Sequence, residues 1–378
     1  MSDIKRRTLI KFLFSGGLGS YLAVNSGILN AFSRVDEGRS AWHRYDSSIV
    51  IDGLGGAFSL KDPLTPDSLD IFKRSGISAL NMTVPYPGDN YVETLKKVEK
   101  TKSIIEQNST HLCLIQSASD ILEAKQENKL GIIMGFQSTE MFDESLSGIS
   151  EFSKMGVRVM QVSYNGPSIL GSGGLVKKDF GITSLGKKAI EIMESEKVLV
   201  DLSHSGKRTV ASAIKQARRP IVISHTGCNA VYEHPRNNDD AELRAVAEAG
   251  GLVGIYLMPF LEGGDHEIKA DMVIKHILHA YKVCGEDHIA IGSDQGVVPV
   301  NDGPEYRESI SKEVERRIAA GISAPGETPH RPPFIPELNS ERRMELVAYK
   351  LNQKGLSDRV VEKVIGNNWL RVFSVVWN

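Results

Sequence analysis

The chain has 378 residues, 41% hydrophobic and 24% charged, with a formal net charge of −2. That is the make-up of a globular protein of one large domain or two ordinary ones, and the charge balance argues against a nucleic-acid partner. Cys113, Cys228 and Cys284 are an odd, scattered set, which excludes a disulfide framework and a zinc ribbon.

The first 33 residues, MSDIKRRTLIKFLFSGGLGSYLAVNSGILNAFS, place the pair Arg6-Arg7 before an apolar stretch rich in glycine and serine. This is a signal-peptide layout, and KRRTLIKFL resembles the twin-arginine export signal. Residues 1–33 are therefore expected to be a targeting segment that sends the protein to the periplasm or a membrane surface. The alternative is a short amphipathic helix. LNAFS is a poor cleavage site, and an uncleaved segment would tether the protein, although Lys11 and the glycines make it a weak span.

Apolar strand-like runs then recur at 49–52, 78–84, 130–136, 157–164, 198–204, 220–225, 251–258 and 288–294. Amphipathic stretches such as SLGKKAIEIMESEK and ADMVIKHILHAYKVCG lie between most of them. Near-continuous apolar strands alternating with helices predict a parallel sheet covered by helices. Eight such units fit a single (β/α)8 barrel over 45–378, with a doubly wound open sheet as the alternative. HLCLIQ (111–116) is an extra short strand candidate. Residues 301–340, which include APGETPHRPPFIPEL, predict a long loop or lid over one barrel face. The tail predicts two helices, the second N-capped by Ser357.

In such barrels, chemistry gathers at the C-terminal ends of strands. Those ends carry Gln137 in GFQS, Tyr164 and Asn165 in SYNG, Asp201, Ser203 and His204 in DLSH, Ser224 and His225 in ISH, and Ser293 and Asp294 in GSD. His204, His225 and Asp294 at three strand ends form a candidate metal constellation. Neutral imidazoles suit zinc and similar ions, and the carboxylate can take a proton from a water that the ion acidifies. Each histidine read alone would be a satisfied core residue. His276 and His279 share one helix face and are expected to be structural, His266 to lie in a loop, and Cys228 to pack. Asp201 and Asn165 are candidates to orient His204 or a substrate.

The run VDLSH, PIVISHTGCNAVYEHPRNNDDAELRAVAEAGGLVGIYLMPFL, EDHIAIGSDQG and VIGNNWLRVF resembles the membrane dipeptidase (renal dipeptidase) family of zinc peptidases, over about 45–375. The resemblance implies an amidohydrolase-type (β/α)8 barrel, a dipeptide or small-amide substrate and a homodimer. It implies that His204 and His225 hold the second of two zinc ions, that Asp294 acts on the water and the leaving amine, and that Arg236 grips the substrate carboxylate. The alternative for Arg236 is a surface pair with Asp239 or Asp240.

The departures fall on the other ion. The family's strand-one His-x-Asp falls on Leu54 and Gly56 in DGLGG, its bridging glutamate on Gln137, and its substrate-side histidine on Tyr164. Asp52 remains as a turn acceptor. The ligands of the first ion are gone or neutralised. What is left implies one zinc ion on His204 and His225, with the Gln137 amide as a weak third ligand and Tyr164 and Asn165 beside the substrate. Three readings stay open: a one-ion hydrolase of a small amide or dipeptide, an enzyme of the same ancestry with changed chemistry, and a non-catalytic small-molecule-binding protein.

Overall fold

Among the described residues nine parallel strands build the sheet: β1 (Ile51–Gly55), β2 (Ala79–Thr83), β3 (Leu112–Leu114), β4 (Leu130–Phe136), β5 (Val157–Gln161), β6 (Leu199–Asp201), β7 (Val222–Thr226), β8 (Leu252–Ile255) and β9 (Ile289–Ile291). Their order is β1-β2-β4-β5-β6-β7-β8-β9, with β3 paired to β4 off this path. The structure, a computed structural model, describes residues 41–56, 60, 63–264, 266–319 and 323–378. The expected targeting segment 1–33 lies outside the described residues.

The sheet comes back on itself as a nearly closed barrel. Asp294 N donates to Leu54 O at 2.8 Å, and Ser293 N donates to Asp52 Oδ1 at 2.7 Å. The eight strands of the barrel are the eight runs read from the sequence, and β3 is the extra one. The (β/α)8 architecture therefore stands, and the open-sheet alternative does not.

Alternation along the strands sets what fills the barrel. Ile51, Ala79, Ile133, Val159, Leu199, Val222, Leu252 and Ala290, one from each barrel strand, share an apolar cluster with Trp369, Phe373 and Trp377. These aromatics come from α12 (Asn368–Val376) and the residue that follows it. A Cβ on Gly53 would stand 1.9 Å from the Trp369 ring, so the glycine is what admits the indole. Two residues further along each strand the side chains turn polar or vanish: Gly53, Asn81, Gly135, Gln161, Asp201, Ser224, Gly254 and Gly292. The apolar floor thus gives way to a polar layer directly below the strand ends.

The covering helices are α1 (Pro66–Arg74), α2 (Tyr91–Gln107), α3 (Ala118–Gln126), α4 (Ser147–Lys154), α5 (Ser184–Ser195), α6 (Lys207–Gln216), α7 (Asp240–Glu248) and α8 (Ala270–Cys284). Capping boxes start α2 (Asn90 with Glu93), α3 (Ser117 with Asp120) and α7 (Asp239 with Glu242), which satisfies backbone donors a helix start otherwise leaves open. Among the described residues no helix is long and apolar enough to cross a membrane.

Two parts differ from the expectation. Residues 301–340 are not one long loop: Pro304–Ala319 form a 16-residue helix, α9, of which only Val314 is buried. A helix polar on nearly every side offers no apolar stripe to read. The tail holds α10 (Arg343–Gln353), then α11 (Asp358–Glu362), which runs through a π-helical stretch (Lys363–Asn367) into α12. Ser357 stands at the N-cap of α11, but its side chain makes no cap bond.

Candidate active site

The C-terminal ends of β6, β7 and β9 bring three of the sequence candidates to the barrel mouth. His204 and Asp294 both adopt left-handed backbone, with φ of 65° and 57°. That conformation is uncommon away from glycine and is held here by the surrounding fold.

Asp201, in the polar layer, organises the pair of imidazoles. It accepts from Ser203 N and Oγ (3.0 and 2.9 Å), from Ser224 N and Oγ (2.9 and 2.5 Å) and from Gln161 Nε2 (3.0 Å). Ser224 has one hydroxyl proton and gives it to Asp201, so its oxygen accepts from His225 Nδ1 at 2.8 Å. His204 Nδ1 meets Asn165 Oδ1, an acceptor, at 2.7 Å and must carry the proton there. Both Nδ1 protons are thereby committed, and both Nε2 atoms are left with bare lone pairs. Those two Nε2 atoms are 2.9 Å apart.

Two bare lone pairs this close are able to converge on one cation, which would sit to the side of the pair at about 2.0–2.1 Å from each nitrogen. A shared proton is opposed by the surroundings. Burial, then Arg236, pushes both imidazoles down from their ordinary value, and for His204 the neighbouring His225 and Arg317 add to it. The chemistry of this donor set fits one divalent ion, with two neutral imidazoles as ligands. Gln137 is buried, and its Nε2 donates to Thr83 Oγ1 at 2.6 Å, which leaves the amide oxygen as the atom able to act as a ligand. Among the described residues no group of three or more His, Cys, Asp or Glu side chains could hold a metal ion.

Arg236 lies in the loop after β7 and is 6% exposed. It is not paired with Asp239 or Asp240: Asp239 pairs with Lys207 at 2.5 Å and Asp240 with His279 at 2.7 Å. Its backbone is pinned instead, N to His234 Nδ1 at 3.1 Å and O from Thr226 Oγ1 at 3.0 Å. The guanidinium makes no ion pair among the described residues, yet it acts electrostatically on His204, His225, Tyr164 and Asp294. Burial pushes Asp294 up to about 6, against the pull of Arg236 and Arg317. Tyr164 stacks on His204 with ring centroids 4.1 Å apart.

The family model for membrane dipeptidase, peptidase family M19, matches residues 66–320. The chain belongs to the membrane dipeptidase family. It is 28% identical over 276 residues to an uncharacterized dipeptidase of Schizosaccharomyces pombe, a match that takes in 69% of this chain and 65% of that one. The chain thus spans just under two thirds of that relative's length. Among solved structures, an amidohydrolase from Pseudomonas aeruginosa superposes with a TM-score of 0.78 at 28% identity, covering 89% of this chain and 99% of that one. A metallo peptidase from Rhodobacter sphaeroides, liganded with a phosphinate mimic of the dipeptide L-Ala-D-Ala, shares the fold with a TM-score of 0.71 at 17% identity, covering 87% and 100%.

The membrane dipeptidase model begins to match at residue 66, beyond β1. On β1 the structure holds no ligand pair. Leu54 is 2% exposed and belongs to neither apolar cluster. Gly56 has room for a Cβ, which would come no nearer than 3.7 Å to Asp294 O. A second ion is therefore not fitted by the residues present. Asp52 accepts from Leu54 N at 3.4 Å, the turn bond expected, and also takes both Ser293 donors. It joins β1 to β9 and is fully buried, which pushes its carboxyl up to about 6.

The bland candidates are bland. His276 is buried with both nitrogens engaged, by Cys228 N at 2.9 Å and Leu261 O at 2.9 Å. His266 is exposed and meets Glu262 at 3.3 Å. Cys228 is fully buried, and burial raises its thiol far above the ordinary value. The sequence reading misses Arg317, Glu327 and His234. The first two sit in the segment read as a lid. His234 Nε2 ties that segment to the rim by donating to Pro325 O at 2.7 Å. No local pattern marks any of the three: His234 reaches Pro325, 91 residues on, and Arg317 and Glu327 pair across ten residues.

Proposed function

We infer that this member of the membrane dipeptidase family is a hydrolase of a dipeptide or similarly small amide, working with one divalent ion, most simply zinc, on His204 and His225. The observation that carries the reading is Arg236: among the described residues this buried guanidinium makes no ion pair, and it acts electrostatically on His204, His225 and Asp294. A buried charge needs a partner, and a substrate carboxylate supplies it bidentately.

The residues divide the work as follows. Arg236 grips the carboxylate and fixes the amide over the strand ends. Asn165 and the Asp201–Ser224 pair hold the two imidazoles in the tautomers that leave Nε2 free. Tyr164 flanks the substrate carbonyl, and Gln137 is placed to add an amide oxygen to the ion. A divalent ion held there supplies Lewis acidity and makes water a better nucleophile at neutral pH. Asp294 takes a proton from the attacking water as the new C–O bond forms. It returns that proton to the amide nitrogen as the C–N bond breaks, so an acid and an amine leave. Export through residues 1–33, an optional tether there and a homodimer belong to the same reading.

The absence of strand-one ligands favours a second reading, in which a changed pocket takes a non-peptide amide. One panel separates the two. Purified protein is offered dipeptides and N-acyl amino acids, with amine release measured. Dipeptide cleavage lost in Arg236→Met supports the first reading. Cleavage of neither class, with added zinc or manganese, sinks both.

A further inference from the structure

His234 precedes Arg236 by two residues and is buried. Its ring stacks on Phe260, from the short helical turn after β8, with centroids 5.0 Å apart and planes 12° apart, and on Tyr232 at 6.3 Å and 21°. Both ring nitrogens are engaged. Arg236 N has only a proton to give and donates it to Nδ1 at 3.1 Å. Pro325 O has only lone pairs and takes the Nε2 proton at 2.7 Å. The imidazole is therefore neutral, with its one proton on Nε2. A proton on Nδ1 would break the bond to Arg236.

The two partners belong to different parts of the fold. Arg236 lies in the loop after β7, and Pro325 lies 91 residues beyond His234 in the lid segment that follows α9. That segment is itself held. Glu327 accepts from Arg317 Nε and Nη2 at 3.0 Å each and from Ser323 Oγ at 2.8 Å. Arg331 Nη2 donates to Glu262 O at 3.2 Å, and Gln295 Nε2 donates to Pro333 O at 2.9 Å. The lid is thus fastened to the loops after β7, β8 and β9, and the tie after β7 runs through His234 to the backbone of Arg236. An aromatic ring does not flex, so a shift of Pro325 is passed on to Arg236 N.

The geometry points to His234 as a positioning residue: it fixes the Arg236 backbone against the lid and so sets the selection of ligands that carry a free carboxylate. It touches no reacting atom. A bidentate grip tolerates little displacement, since misplacing a bound group by about 1 Å can cost on the order of 100-fold. This rests on the reading above in which Arg236 holds the substrate carboxylate.

The test uses the full chain and three variants. His234→Phe keeps the stack and loses both hydrogen bonds. His234→Asn keeps an acceptor for Arg236 N but is too short for Pro325. His234→Gln keeps a donor toward Pro325 but places no acceptor at the Nδ1 position. With a dipeptide that the parent cleaves, His234→Phe is expected to raise KM by about 10- to 100-fold with kcat moved less than about threefold. Asn and Gln should fall between parent and Phe. An Asn or a Gln variant equal to the parent overturns the coupling, as does a loss confined to kcat. Calorimetric binding of a phosphinate dipeptide mimic, and of the same compound capped as its carboxamide, gives a second readout that needs no turnover. The parent should prefer the acid, and His234→Phe should reduce that preference by about tenfold while binding the amide as before. Equal losses for acid and amide, the mark of a purely structural role, overturn the inference. A parent that prefers the acid but cleaves no dipeptide refutes the hydrolase reading alone, and the preference in His234→Phe still decides the inference. A parent that binds acid and amide alike, or neither, removes Arg236 from the carboxylate and the inference with it. An intact thermal unfolding transition confirms that each variant is folded.

Discussion

The two sides of the barrel mouth are built with equal care and do different things. On the β6–β7 side, Asp201 takes five donors and passes its order through Ser224 to His225. On the β1–β9 side, Asp52 takes donors from Leu54 and Ser293 and closes the barrel. Both buried carboxylates are satisfied, and the pair of imidazoles stands on the β6–β7 side, with Asp294 on the other. The contrast separates scaffold from chemistry. Leu54 and Gly56 offer no side-chain ligand there, while Asp52, two residues before Leu54, joins β1 to β9.

The largest effect is expected where scaffold and chemistry coincide. Asp201→Ala would strand five buried donors and is expected to cost about 3–5 kcal/mol of stability, together with the ion, measured by denaturant unfolding and elemental analysis. A cost under about 1 kcal/mol would show that Asp201 does not organise the site. Arg236→Met should spare stability and lower kcat/KM for a dipeptide by roughly 100-fold, through the loss of about 3 kcal/mol of charge-assisted hydrogen bonding. An unchanged kcat/KM would remove Arg236 from the substrate.

Next comes pH. Asp294 must be ionised to take a proton, and its carboxyl is raised to about 6. Activity should therefore rise through about 6 and level above it, falling roughly tenfold per pH unit on the acid side. Arg236 and Arg317 hold this carboxyl down while burial, Asp52 and Glu327 raise it, so Arg236→Met should move the acid limb upward. The sign for stability is the reverse. A carboxyl raised in the folded state favours the protonated form, so its contribution is fullest below the unfolded value of 3.8 and is lost as pH climbs through about 6. An activity profile flat from pH 5 to 8 would exclude Asp294 as the proton carrier.

The smallest effect is expected on the β1 side. Gly56→Asp places its Cβ 3.7 Å from the nearest atom, Asp294 O, and should change stability by no more than about 0.5 kcal/mol. Alone it should not add an ion. With Leu54→His and Gln137→Glu it should.

The barrel was legible because its strands, buried on both faces, read as near-continuous apolar runs, and each run ended on its polar residues. His204, His225 and Asp294 could be placed for the same reason: each lies at or just beyond the end of such a run. Helix α9 was not legible, since a helix with one buried residue has no stripe. Arg317 and Glu327 were silent because they pair with each other across ten residues of a segment with no apolar pattern. The role of Ser224 as a relay between Asp201 and His225 needed the positions of single protons, which no spacing in the sequence encodes.

One ion on the β6–β7 side of the mouth and none on β1 is the arrangement that elemental analysis of protein purified without added metal tests directly. About one divalent ion per chain is expected in the parent and none in His204→Ala. Two ions per chain in the parent, or an ion that survives the loss of His204, would contradict it.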